Sequence, residues 1–162
     1  MYAVVSAMAE SCDQHTVTGD DRLYDDCSIL PVIAALDLTA VNAYLCSESY
    51  ALTPWKQADI LVLEQIYRRF LHLLVTQKGV KLTPSRCIDE YWHAHILHTK
   101  RYVDDCQAIA GRYLHHHPDN PLSPDQETLS QGFDRTCQLY QQIFHEPLQV
   151  FVEDKSTAHN QQ

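Results

Sequence analysis

The chain has 162 residues, 45% of them hydrophobic and 20% charged, with 4 Gly and 7 Pro; that composition excludes low-complexity and intrinsically disordered classes and suits one folded domain better than two. Its 21 Asp and Glu against 12 Lys and Arg leave a formal charge of −9, which gives no electrostatic support to nucleic-acid or anionic-membrane binding. Apolar runs are interrupted by charges well short of the roughly 20 residues that a membrane span requires.

In chain order, the first 20 residues are polar and aperiodic and read as a loose tail. Met1 to Ala9 lacks the basic stretch of a signal peptide, although Ala7-Met8-Ala9 resembles a cleavage site. The six cysteines, at 12, 27, 46, 87, 106 and 137, form no C-x-x-C pair. They are expected to be reduced, mostly buried thiols in a cytoplasmic protein, without a cysteine-bound structural zinc. From Ile29 to Leu45 the pattern suits one or two short helices, with Pro31 near a start and Leu36, Val41 and Leu45 inward.

Three later helices announce themselves by leucine, a hydroxyl residue and proline: Leu52-Thr53-Pro54, Leu82-Thr83-Pro84 and Leu122-Ser123-Pro124. The hydroxyl caps an orphan N–H, and proline in the first turn forfeits only a donor that had no partner. Gln126 completes a capping box with Ser123. The first helix is predicted from Pro54 to about Lys78, with Gly79 as its stop and Leu61, Val62, Ile66, Phe70, Leu73 and Leu74 inward. The second runs from Pro84 to about Ala110 and stops at Gly111; the third runs from Pro124 to about His145, before Pro147. Leu148 to Val152 could form a short strand but has nothing to pair with, and Glu153 to Gln162 reads as a second loose tail. The expected fold is an all-α, single-domain bundle of four or five helices over residues 21–152.

Six of the ten histidines lie between His93 and His117. At about 100° per residue, Ile88, Trp92, Ile96, Val103, Cys106 and Ala110 form one inward stripe. Asp89 and His93, four apart, share one edge of it, and His95, Tyr102 and Cys106 lie near the other. On a continuous helix, His93 and His95 therefore point too far apart to ligate one metal as a simple H-x-H pair. Asp89 and His93 instead invite completion from elsewhere, with His115, His116 and His117 after the Gly111 turn as donors. Glu90-x-x-His93 has di-iron spacing but no second copy. His72, mid-helix, reads as a surface or satisfied core histidine, and His145 as a favourable cation at a helix end.

The run Asp89-x-x-Trp92-His93-x-His95-x-Leu97, followed by Tyr102, Asp105-Cys106, Gly111 and His116 or a neighbour with Pro118, resembles the signature of the glycine-rich domain-containing protein-like family of plants and many bacteria. The resemblance is to a bacterial-type member without the glycine-rich tail of the plant proteins. It implies Asp89, Trp92, His93, His95 and Tyr102 as the marked positions. The leading functional expectation is a histidine/carboxylate metal-binding helical protein, with Asp89, His93, His95, His116 and His117 as candidate ligands of Zn, Fe, Mn or Cu. A non-catalytic interaction module is the alternative, its Asp/Trp/His seam serving packing. Metal-free acid/base or nucleophilic chemistry would use His93 with Asp89 and a group such as Cys87 or Tyr102. No nucleic-acid partner is expected, and the sequence identifies no protein or small-molecule one.

Overall fold

The computed structural model describes residues 28–50, 54–116 and 129–149. Within them all regular structure is helical: α1 (Pro31–Ala34), α2 (Thr39–Leu45), α3 (Gln57–Thr76), α4 (Arg86–Leu97), α5 (Thr99–Ala110) and α6 (Leu129–Phe144). The all-α expectation holds. Six helices replace four or five because Ile29 to Leu45 supplies two and the long second helix is divided. Both tails, Thr53, Leu122-Ser123-Pro124 and residues 150–152 of the possible strand lie outside the described residues; Leu148 and Gln149 are not in a strand. Among the described residues no helix is long and apolar enough to cross a membrane.

The helix α3 is the axis of the packing and touches α1, α2, α4 and α6. Neighbours on so many sides bury a wide arc, and the fully enclosed side chains are Ile60, Leu63, Tyr67, Phe70, Leu71 and Leu73. Of the predicted inward set, Ile66, Phe70 and Leu73 are buried, Leu61 and Leu74 are partly buried, and Val62 faces solvent. The same arc buries two charges. The Arg68 guanidinium donates to the carbonyls of Ile33 (2.6 Å), Ala34 (3.1 Å) and Leu36 (2.8 Å), closing the end of α1, and pairs with Glu64 at 2.5 Å. Glu64 in turn accepts from the Asn42 amide, whose oxygen accepts from Tyr91 OH at 2.6 Å. One buried polar chain thus joins α1, α2, α3 and α4, every member hydrogen-bonded as burial demands.

The predicted helix from Pro84 to Ala110 breaks at His98, which has φ −82° and ψ 56° and belongs to the ends of both α4 and α5. Two contacts require the break. The Trp92 indole N–H donates to Tyr102 OH at 2.8 Å, and His95 Nε2 lies 3.0 Å from Asp105 Oδ2. Each pair is ten residues apart, which an unbroken helix would separate by about 15 Å of rise. The proposed stripe divides accordingly: Ile88, Trp92 and Cys106 are buried, whereas Val103 is half exposed. The His98 imidazole donates from Nδ1 to the Ala94 carbonyl at 2.8 Å and closes the end of α4.

Gly111 ends α5 in the left-handed conformation, φ 64°, as its position predicts. The start of α4 comes two residues later than expected, with Ser85 Oγ accepting from the Ile88 N–H. Thr83, the predicted cap, is used by α6 instead: its N–H donates to Thr136 Oγ1 at 3.1 Å and its carbonyl accepts from that hydroxyl at 2.9 Å. Gly132 permits this approach, since a Cβ there would stand 2.2 Å from Thr83 Oγ1. His72 is half-buried and satisfied, its Nδ1 accepting from the Leu30 N–H at 3.2 Å and its ring against Phe144. The last helix stops at His145, φ 59°, two residues before Pro147.

Candidate metal centre

Four-residue spacing on α4 sets Asp89 and His93 one turn apart on an outward edge, with His93 Nε2 3.8 Å from Asp89 Oδ2. The chain beyond Gly111 returns to the same edge and brings His116 Nε2 to 2.6 Å from Asp89 Oδ1. The two imidazole rings stand 4.6 Å apart, centre to centre, and one donor atom from each of the three residues lies within 4.8 Å of the others. Side-chain exposure rises from 12% at His116 through 37% at Asp89 to 55% at His93, so the group has a buried side and an open one. Of the two described members of the histidine triplet, His116 joins Asp89 and His115 is exposed with its ring against Tyr113; His117 lies outside the described residues.

His116 is set from behind. Trp92, buried on α4, presents its ring edge-to-face at 4.6 Å, and its indole N–H donates to Tyr102 OH. The Tyr102 hydroxyl donates onward to the Leu114 carbonyl at 2.6 Å, two residues before His116. Burial pushes the Tyr102 phenol above its usual pKa, so it remains a donor at neutral pH. Trp92 and Tyr102 stand out in the sequence, but what they do together does not: they form a relay from α4 through α5 to the segment after Gly111.

His95, two residues from His93, faces the opposite way into the core. Tyr67 OH donates to its Nδ1 at 2.9 Å, and its Nε2–H donates to Asp105 at 3.0 Å, so both ring nitrogens are in use. Tyr67 is 28 positions earlier on α3, and no local signal in the sequence links the two. Burial lowers the His95 pKa from 6.5 against the opposing pull of Asp105. The unfolded chain therefore takes a proton that the folded one resists, and the contribution to stability, complete above pH 6.5, is lost as pH falls from that value through the lower folded one. Melting temperature should fall as pH is lowered below about 6.5. A His95→Gln protein should melt lower throughout with a shallower slope, and an unchanged slope would reject this assignment.

The remaining candidates are occupied elsewhere. Glu90 points to the connection between α2 and α3, where its carboxylate accepts from Tyr50 OH and from Trp55 Nε1 at 3.2 Å. That direction leaves Glu90-x-x-His93 without di-iron geometry. Cys87 is buried with its Sγ 3.1 Å from Ser85 Oγ, and burial raises the pKa of the enclosed Cys106 thiol. Cys46, Cys87, Cys106 and Cys137 are all free thiols.

Two curated relatives from Arabidopsis thaliana resemble the chain. Glycine-rich domain-containing protein 1 is 23% identical over 141 residues, covering 83% of this chain and 17% of the relative. Glycine-rich domain-containing protein 2 is 28% identical over an alignment of 169 residues, covering 87% of this chain and 21% of the relative. The chain thus spans about a fifth of the length of these relatives, and both carry the family name that the Trp92-His93 signature suggested. No solved structure matches. The model of the UCP032817-like family matches residues 41–148, two thirds of the chain and a span that contains Asp89, His93 and His116, and the chain belongs to that family.

Proposed function

We propose that this protein binds a divalent transition metal through Asp89, His93 and His116. The observation that carries the reading is the convergence of two imidazoles and a carboxylate from points 27 residues apart. Donors around one tetrahedral metal at about 2.1 Å stand roughly 3.4 Å apart. His116 lies 2.6 Å from one Asp89 oxygen and His93 3.8 Å from the other, and one donor of each residue lies within 4.8 Å of the others, so side-chain rotations would draw the three around an ion. Imidazole with carboxylate suits Zn, Fe, Mn or Cu. His95 drops out of the ligand set because both of its nitrogens are committed, and His117 is kept as an adjoining candidate. The free thiols of the four described cysteines support a reducing, cytoplasmic setting.

Elemental analysis of protein purified without a histidine tag should find about one metal per chain. His93→Ala and His116→Ala should each lose most of it while helicity by circular dichroism is kept; metal content equal to the parent's in both variants would end the proposal.

A second reading, a structural lock in a non-catalytic interaction module, is favoured by one contact: the 2.6 Å bond from His116 to Asp89 closes the segment onto α4 without an ion. On that reading Asp89→Asn lowers the melting temperature equally with and without chelator. On the metal reading, chelator lowers the stability of the parent and leaves Asp89→Asn unmoved.

A further inference from the structure

The exposure gradient across the three donors bears on what the centre does, given the metal-binding reading on which this inference rests. Structural metal sites close around the ion with four protein ligands, whereas catalytic sites use three and leave a position for solvent or substrate. Among the described residues three donors lie within reach of one another. Two other candidate donors on α4 are spoken for: both His95 nitrogens are bonded, and Glu90 is held by Tyr50 and Trp55. Trp92 backs His116 on the buried side, and His93, the most exposed donor, leaves the opposite side to solvent.

Charge narrows what could enter. A divalent ion with one carboxylate and two neutral imidazoles keeps a net charge of +1, which a monoanion neutralises. The chain's overall −9 opposes the approach of multiply charged anions. We propose that the metal held by Asp89, His93 and His116 keeps a solvent-facing coordination position that takes a small monoanion.

Cobalt(II) is the probe, because its visible absorption reports changes in coordination. The full chain, freed of metal and loaded with one equivalent of cobalt(II), should show a saturable shift of that absorption with acetate and with azide. Inorganic phosphate compared at about pH 8, where it is largely dianionic, should need a higher concentration than acetate for the same change. Failure of cobalt(II) to bind removes the metal reading and this inference with it. Stoichiometric binding with no response to either monoanion keeps the metal reading and overturns this one. A response seen only in His117→Ala also overturns it, since a protein ligand would then hold the position. Phosphate binding as tightly as acetate would refute the monoanion preference.

Discussion

Arg68→Met should lower the unfolding free energy by about 3–5 kcal/mol, the usual cost of removing one partner of a buried ion pair. Methionine fills much of the same volume, so the loss is electrostatic and not a cavity effect. Glu64, with a side chain 3% exposed, would be left with only the Asn42 amide to answer it. The carbonyls of Ile33, Ala34 and Leu36 would lose the guanidinium that closes α1. Urea denaturation followed by circular dichroism measures the effect, and a loss below about 1 kcal/mol would mean that water reaches the site and screens it. The double variant Glu64→Leu/Arg68→Met should recover more than half of the loss, because an apolar pair leaves no uncompensated charge.

The second large effect is expected from Tyr102→Phe, which deletes one oxygen and strands two buried groups. The Trp92 indole N–H loses its acceptor and the Leu114 carbonyl its donor. At about 1–3 kcal/mol for each orphaned buried group, a total near 3 kcal/mol is expected. The same change should weaken metal binding, although no proposed ligand is touched, because Leu114 is two residues from His116. Loss of an outer hydrogen bond that orients a ligand typically costs about 10–100-fold in affinity. Isothermal titration at a temperature where the variant is fully folded separates the two consequences. Lost stability with unchanged affinity would show that His116 is placed by the Asp89 bond and the Trp92 ring alone.

How much of the fold and site is legible in the sequence depends on whether the signal is local. The pairing of Asp89 with His93 follows from 3.6 residues per turn, and it survives because the helix is intact over those positions. The stop at Gly111 is equally readable, because a left-handed residue there favours glycine. The break at His98 has no such mark, since neither glycine nor proline stands between Leu97 and Thr99. It is held by contacts from Trp92 to Tyr102 and from His95 to Asp105, which exist only once the helix has turned. The proposed inward stripe fails at Val103 for the same reason, because it assumes one continuous axis.

The sequence by itself determined the helical class, the stop after α5, the acid and imidazole one turn apart, and a supply of histidines beyond the turn. These follow from backbone preferences and spacing, which act over a few residues. Only the tertiary structure decided that His95 belongs to the core and that His116 reaches Asp89. Those outcomes depend on Tyr67, Asp105 and Leu114, residues distant in sequence whose hydrogen bonds must be satisfied once packing removes them from water.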